Sequence, residues 1–201
     1  TKGKPSVLIL TFALPIFLAN LLQLTYSLVD TRIVGTYLGE SALAAVGATT
    51  TLSNLIVQFL MGMCNGFAII SAQHFGAKDM VKLRKSLGNA LVLGVFVAVI
   101  LTASGLLFLQ PILRFLNVPA DLMDTAAQYV AVIIAGLIVT LLYDVLSATL
   151  RAIGDTVTPL IVLAISVAMN IGGDLFFIVV LKAGVRGAAI ATVLSQCVAV
   201  V

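Results

Sequence analysis

Residues 158–181, TPLIVLAISVAMNIGGDLFFIVVL, decide the fold class of this chain. The run is long enough to cross the hydrocarbon core of a bilayer, which takes about 20 apolar residues. Across all 201 residues, 61% are hydrophobic and only 9% are charged, whereas about a quarter of a soluble domain is charged. This composition excludes a cytosolic enzyme, a nucleic-acid-binding domain and a disordered chain. It predicts an all-α, polytopic membrane protein with the lipid bilayer as its surroundings and no nucleic acid as a partner.

Charged residues separate the chain into six apolar runs. The runs predict transmembrane helices at about 7–38, 42–75, 87–114, 122–150, 157–181 and 187–201. The charged stretch 78–85 between the second and third runs predicts a short amphipathic helix on the membrane surface. The sixth run is shorter than the roughly 20 residues that a span needs. We therefore interpret residues 1–201 as a six-helix lobe with a truncated sixth helix, cut from a longer chain; the alternative is a natural chain that ends in a short or tilted helix.

The distribution of lysine and arginine predicts the orientation, because cytoplasmic loops carry the excess of these residues. A cytoplasmic N-terminus puts seven basic residues on the inner side: Lys2, Lys4, Lys78, Lys82, Arg84, Lys85 and Arg151. It leaves four on the outer side: Arg32, Arg114, Lys182 and Arg186. The sequence therefore predicts an N-terminus inside the cell.

Polar residues recur at helical spacing within the apolar runs. The first run carries Asn20, Gln23, Ser27 and Asp30, the second carries Asn54 and Gln58, and the fourth carries Tyr129, Thr140 and Tyr143. Residues three or four apart share one face of a helix. Because lipid offers no hydrogen bonds to them, these stripes are expected to face inward. They either bond the helices to one another or line a wet cavity.

Three aspartates within the apolar runs favour the cavity over simple helix bonding: Asp30, Asp144 and Asp174. A charge at the bilayer centre costs about 2.5–3.5 kcal/mol on insertion scales, so such residues usually mark an ion or proton path. Asn170, one turn before Asp174, can bond that carboxylate or share a cation with it. Each aspartate also has a structural alternative: an interfacial residue for Asp30, a cap-region residue for Asp144 and a satisfied carboxylate for Asp174.

Helix breakers occur where a moving bundle would need them. Pro15 removes a backbone hydrogen bond from the first helix and bends it. Gly172 and Gly173 weaken the fifth helix beside Asp174. A static kink is the alternative interpretation of Pro15, since such kinks are common in membrane helices.

Four groups of motifs, in register over essentially the whole chain, resemble the multidrug and toxic compound extrusion (MATE) family of transporters. The first group is Leu14-Pro15 with Val29-Asp30-Thr31 and Val34-Gly35. The others are Leu150-Arg151-Ala152-Ile153-Gly154-Asp155 with Thr158-Pro159, then Asn170-Ile171 with Asp174, and finally Gly187-Ala188-Ala189 with Ala191-Thr192.

The resemblance implies a twelve-helix transporter of two six-helix lobes, with this chain as the N-terminal lobe and the C-terminal lobe absent from the sequence. It implies export of small organic, often cationic, compounds in exchange for Na⁺ or H⁺, in the plasma membrane of a bacterium, without a further cofactor and without enzyme activity. The sequence does not choose between the two ions.

The resemblance also implies roles for particular residues. Cation coupling would fall to Asp30, Asn170, Asp174, Tyr129 and Thr192, of which the first three are the candidate Na⁺ ligands. Pro15 matches a proline associated with bending of the first helix. The expected substrate cavity comprises Asn20, Gln23, Ser27, Asn54, Gln58, Thr140, Tyr143 and Asp144. Asp144 stands where relatives often carry asparagine.

Two other functions fit parts of the sequence. Tyr143-Asp144 and Ile171-Gly172-Gly173-Asp174 resemble the paired motifs of an intramembrane aspartyl protease, although Ile171 stands where that class has glycine. Two carboxyl groups within about 5 Å would be needed to share a proton and activate water. The second alternative is a half-transporter that dimerises for small-solute transport.

Overall fold

The computed structural model describes residues 5–200 as a bundle of helices with short connections. Lys2 and Lys4, which enter the predicted orientation, and Val201 lie outside the described residues. The helices are α1 Pro5–Leu38, α2 Glu40–Gly76, α3 Met80–Leu107, α4 Leu109–Phe115, α5 Met123–Ala135, α6 Leu137–Ala152, α7 Val157–Asp174 and α8 Gly184–Val200, with a π-helical segment at Leu175–Val180 between α7 and α8.

Four of these helices are long and apolar enough to cross a membrane, and there are five if α5 and α6 form one bent span. The all-α, polytopic fold class is therefore confirmed. Because successive spans run in opposite directions, the start of α1, the α2–α3 turn and the α6–α7 turn share one side of the lobe. We call this the N-terminal side.

The centre of the lobe is α6, which packs between α2 and α3 and carries Leu137, Leu141 and Val145 into the core. In a bilayer, helix association depends on close packing rather than on exclusion of water. Small residues allow α3 and α6 to pack closely, since a Cβ at Gly94 of α3 would lie only 3.0 Å from the Leu141 side chain of α6. The exposed face of α3 carries the apolar side chains of Val92 and Phe96, which suit contact with lipid.

The fourth span bends by 46° between α5 and α6. Gly136 stands at the bend, where a Cβ would clash with Val193 of α8. The Thr102 hydroxyl of α3 donates to the Ile134 carbonyl at 3.0 Å, beside the interrupted backbone. The expected single helix at 122–150 is thus two helices, α5 and α6, and the close approach of α8 leaves no room for a side chain at the bend.

Several expected helix limits differ from the structure. The third helix begins at Met80 rather than near 87, because the Asp79 carboxylate caps it by accepting from the Lys82 backbone N–H at 3.0 Å. The charged stretch 78–85 is therefore the start of α3 and not a separate surface helix. The remainder of the expected 87–114 helix ends at Leu107, and α4 follows as a distinct element. The last helix begins at Gly184 rather than 187.

Helix α1 is anchored near its C-terminal end. Among its described side chains only Ile33 and Val34 are buried, where they pack with Ile178 and Ala188. Towards the other end many large apolar side chains are exposed, among them Ile9, Leu10 and Leu14. The helix runs through Pro15 without a break, so the bend expected there stays a prediction.

Candidate functional site

A pair of acidic side chains joins α1 to α7 in the half of the lobe away from the N-terminal side. The carboxyl groups of Asp30 and Asp174 lie within hydrogen-bond reach of each other. Asp174 is fully buried, and one oxygen of each carboxyl, Oδ1, is buried without a hydrogen-bond partner. No lysine, arginine or histidine in the described part of the chain forms an ion pair with either group. Two carboxyls this close must share a proton or a cation.

Asn170 and Thr192 form a chain of hydrogen bonds that begins at Asp174 of the acidic pair. We orient the Asn170 amide so that Nδ2 donates to Asp174 Oδ2 at 2.9 Å and Oδ1 accepts from the Thr192 backbone N–H at 3.0 Å. In the opposite orientation the amide makes only one hydrogen bond, from Asn170 Nδ2 to the Thr192 hydroxyl at 3.2 Å. That hydroxyl donates to the Ala188 carbonyl at 3.1 Å. It can therefore accept from the Tyr26 hydroxyl, which lies 3.2 Å away.

The local sequence explains why α7 and α8 meet closely at this point. A Cβ at Gly173 would lie 3.0 Å from the Ala191 Cβ, so two small residues allow the helices to approach. Immediately after Asp174 the chain changes from α-helix to π-helix. π-Turns inside helices occur frequently at functional sites. Tyr129 of α5 is also close enough to be influenced by the charges of Asp30 and Asp174.

A cavity of about 240 Å³ lies nearer the N-terminal side, between α1, α2, α6 and α7. Asn20, Gln23, Tyr143 and Asp144 are among its lining residues, and Pro15 and Arg151 line it as well. Asp144 is buried, and its Oδ2 has no hydrogen-bond partner. Arg151 lines the same cavity, but the Arg151 and Asp144 side chains do not form an ion pair. The cavity thus holds a carboxyl that is available to a ligand.

A smaller cavity of about 70 Å³ lies between the larger one and the acidic pair. Tyr26, Asn170 and Thr192 line it on the side of the pair. Gln23 and Tyr143 line both cavities. Polar groups therefore continue from Asp144 to Asp174 through the interior of the lobe.

Four of the expected cavity residues have other surroundings. Thr140 is buried, and its hydroxyl donates to Gln196 Oε1 at 2.7 Å, so it bonds α6 to α8. Ser27, Asn54 and Gln58 are exposed and line none of the cavities described above. In α2 the packed face carries the small or apolar residues Ala45, Thr49, Leu60 and Cys64. At 3.6 residues per turn, Asn54 and Gln58 point away from that face.

Sequence reasoning missed Tyr26, which bonds Thr192 and lines the smaller cavity. The signal was present: Tyr26 is three residues after Gln23 and four before Asp30, a spacing that puts all three on one face. Ser27, the next residue, is four after Gln23 and three before Asp30, so the spacing alone does not distinguish Tyr26 from Ser27.

The structure does not support the protease alternative. Asp174 is paired with Asp30, whereas Asp144 lies in the other cavity under the influence of Arg151. Neither aspartate is among the charges that act on the other. A shared proton between Asp144 and Asp174, which that chemistry requires, has no basis in this arrangement.

The acidic pair offers hard oxygen atoms from two carboxyls, an amide and a hydroxyl. Ligands of this kind suit a small alkali or alkaline-earth cation. The unpartnered Oδ1 atoms of Asp30 and Asp174 are what such a cation, or a proton, would satisfy. The described residues contain no group of three or more His, Cys, Asp or Glu side chains that could hold a metal ion. Any cation here would therefore depend on neutral oxygens as well.

Comparison with known proteins identifies the family. The MatE family model matches residues 15–176. The chain belongs to the MatE family. The resemblance found in the motifs is thereby confirmed, and the members of this family are transporters rather than enzymes.

Two relatives come from Bacillus subtilis. The MatE chain is 30% identical to the probable multidrug resistance protein YpnP over 99% of its own length and 45% of the relative's. It is 33% identical to the probable multidrug resistance protein YoeA, over 96% of the chain and 43% of the relative. The chain thus spans less than half the length of the curated relatives it matches.

Solved structures agree with this assignment. A crystal structure of a MATE protein with a proline-to-alanine substitution superposes with a TM-score of 0.91 at 27% identity, over 99% of this MatE chain and 44% of that protein. A MATE transporter described as outward-facing superposes with a TM-score of 0.89 at 27% identity, over 98% and 44%. Each coverage corresponds to one lobe of the longer molecule.

Proposed function

We propose that the full-length protein is a secondary active transporter that exports organic, cationic compounds in exchange for Na⁺ or H⁺. The chain described here would be its N-terminal lobe, and the C-terminal lobe its essential partner. Asp30, Asp174, Asn170, Tyr129 and Thr192 would couple the ion to transport, and we add Tyr26 to this group. The names of the relatives, multidrug resistance proteins, support the substrate class.

The observation that carries the proposal is the buried pair Asp30–Asp174. Two carboxyls with unpartnered oxygens and no basic partner are costly inside a membrane. They are tolerated where an ion or a proton occupies them for part of a cycle. In addition, they sit on two different helices, so their occupancy acts on the packing of α1 against α7.

Coupling would follow from this position. With a cation or proton bound, the two carboxyls attract a common charge and hold α1 against α7; without it they repel each other. Occupancy therefore favours one of two packings of α1. If substrate favours the other packing, ion and substrate drive the lobe in opposite directions, which is the requirement for exchange.

The cavity lined by Asn20, Gln23, Tyr143 and Asp144 would belong to the substrate path. A carboxyl without an ion-pair partner suits a cationic compound. Asn54 and Gln58 would contribute from the surface of α2, at the junction with the other lobe, since polar side chains are not stable against acyl chains. Following the distribution of basic residues, the N-terminal side would face the cytoplasm of a bacterial cell.

The deciding experiment is dye efflux from proteoliposomes that contain the full-length protein under an imposed Na⁺ or H⁺ gradient. We expect efflux with one of the two gradients, which identifies the ion. Asp174→Asn should abolish gradient-driven efflux, because an amide has no full negative charge with which to bind a cation and does not release a proton.

The matched control is Asp121→Asn, the same chemical change at an exposed turn residue. It should leave efflux unchanged. Gradient-driven efflux at the wild-type rate by a correctly inserted Asp174→Asn protein would exclude the proposed coupling site. Efflux with neither gradient across a set of cationic dyes would contradict the proposed function itself.

A further inference from the structure

A groove with a volume of about 320 Å³ opens between the end of α2 and the start of α3, on the N-terminal side. It is separate from the two cavities described above. His74, Lys82 and Lys85 line one end of the groove, and Phe67, Ile70 and Leu93 line the other. Neither the acidic pair nor the Asp144 cavity includes any of these residues.

The polar and apolar ends are separated along the membrane normal. His74 and Lys82 lie in the terminal turns of α2 and α3, beside the α2–α3 turn. Phe67 and Leu93 lie deeper: at 1.5 Å per residue, Leu93 is about 16 Å along α3 from Lys82, and Phe67 is about 10 Å along α2 from His74. The groove therefore reaches from the headgroup level into the hydrocarbon region.

The apolar end is open in this chain. Ile70 is 47% exposed and Leu93 is 52% exposed. Between the two ends, Ser86 and Asn89 offer neutral hydrogen-bonding groups to the groove. An occupant of matching shape would have a charged or polar head near the lysines and a hydrocarbon tail beside Ile70 and Leu93.

The charge at the polar end is positive. Lys82 Nζ lies 3.1 Å from Asp79 Oδ2, and this is the one ion pair in the described part of the chain. Asp79 thus offsets Lys82 in part, whereas Lys85 has no acidic partner among the described residues. Lys78 and Arg84 in the same stretch add to the positive field. An anionic headgroup is attracted here, and an organic cation is repelled.

We propose that this groove binds an anionic phospholipid, with the headgroup phosphate at Lys82 and Lys85 and an acyl chain along Phe67, Ile70 and Leu93. Basic pockets between transmembrane helices at the membrane surface are known to bind such headgroups. The apolar end favours a lipid over free phosphate, since it would otherwise have no occupant of its own. The proposal does not depend on the transport function.

The test measures lipid retained by the full-length protein. Purified protein is exchanged into mixed micelles with cardiolipin or phosphatidylcholine as the probe, and bound lipid is counted by native mass spectrometry. We expect cardiolipin to bind preferentially, and Lys85→Gln to weaken it about fivefold, the effect of about one interfacial charge. Lys85→Arg should restore most of the binding.

The matched control is Arg84→Gln, which removes the same charge from the neighbouring position. Arg84 is exposed and does not line the groove, so binding should fall much less. Equal losses for Lys85→Gln and Arg84→Gln would show a diffuse surface attraction and would overturn the site. Equal retention of cardiolipin and phosphatidylcholine by the wild type, as expected if the other lobe covers the groove, would overturn it too.

A second variant addresses the apolar end. Leu93→Asp places a charge beside the proposed acyl chain and should lower cardiolipin retention. In a separate competition, free inorganic phosphate should not displace cardiolipin from the wild type at concentrations too low to screen charges in general. Displacement of cardiolipin by low phosphate would show that the groove recognises a headgroup without a lipid tail, against the proposal.

Discussion

At the scale of single residues, Asp155 shows how one carboxylate orders the turn before α7. Its Oδ1 accepts hydrogen bonds from the backbone N–H groups of Val157 at 3.1 Å and Thr158 at 3.0 Å. Hydrogen bonds from the Thr158 side chain and then from its backbone hold the pKa of Asp155 below its usual value. The ionised form therefore stabilises the start of the helix, which also favours negative charge at that end.

This arrangement predicts a pH dependence for Asp155→Asn. Because the pKa is lower in the folded state, the charge stabilises the fold above the unfolded-state value of about 3.9, and the contribution is lost as pH falls through the folded-state value. Asparagine keeps the capping oxygen but carries no charge. The difference in Tm between wild type and variant should therefore be largest at neutral pH and should shrink below about pH 4.

Circular dichroism melts of the protein in detergent across this range would check the prediction. Asp121→Asn is the control, because Asp121 makes no capping hydrogen bond in the described structure. A difference in Tm for Asp155→Asn that stays constant at all pH values would show that the cap acts through its shape and not through its charge.

The sequence was informative about charged residues and less so about neutral ones. Asp30 and Asp174 stand out because a carboxylate in an apolar run needs a special reason, and the structure brings them together. Tyr26 does not stand out, because a tyrosine at a membrane interface is common. Only the tertiary contact between α1 and α8 shows that its hydroxyl meets Thr192.

At the scale of helices, the bend between α5 and α6 depends on the missing side chain of Gly136. A Cβ there would clash with Val193, so Gly136→Ala must push α8 away or straighten the span. Overpacking of this kind typically costs about 1–3 kcal/mol. We expect Gly136→Ala to lower the Tm, and the added change Val193→Ala to restore most of the loss.

Gly62→Ala is the matched control, since a Cβ at that position of α2 would meet nothing within 4 Å. It should leave the Tm unchanged or raise it slightly, because alanine favours helix. If Gly136→Ala were equally harmless, the close approach of α8 would not be what keeps glycine at the bend.

Helix positions were predictable from sequence where charge clusters end the apolar runs. The expected 42–75 and the observed Glu40–Gly76 illustrate this. The features that depend on neighbours were not predictable. The requirement for glycine at position 136 comes from Val193 of α8, and nothing in the run 175–180 alone indicates a π-helix. The charged stretch 78–85 predicts a separate helix, whereas in the structure Asp79 is the N-cap of α3, so the start of α3 at Met80 was not predictable from the charges.

At the scale of the whole molecule, the polar surface of α2 indicates an incomplete assembly. Asn54 and Gln58 are exposed, and in a bilayer they need hydrogen-bonding partners. The proposed C-terminal lobe would provide them, as would a second copy of the chain if the half-transporter alternative is correct.

The two alternatives predict different behaviour for the isolated chain. If it is one lobe of a longer transporter, reconstitution of residues 1–201 alone should give no gradient-driven dye efflux, whereas the full-length protein should be active. The physical reason is that half of the surface around the substrate path is missing. Efflux assays with both proteins, combined with the measured mass of the isolated chain in detergent, would check this. Efflux by a dimer of the isolated chain would favour the half-transporter.

The burial of α1 side chains near its C-terminal end has a mechanical consequence. Asp30 lies close to the anchoring residues Ile33 and Val34, while Pro5 is about 38 Å away along the helix axis. A rotation of about 5° at Asp30 displaces the far end by about 3 Å. If the proposed ion coupling at the acidic pair is correct, α1 would act as a lever with its fulcrum beside that pair, and a small rotation there would become a larger displacement near Pro5.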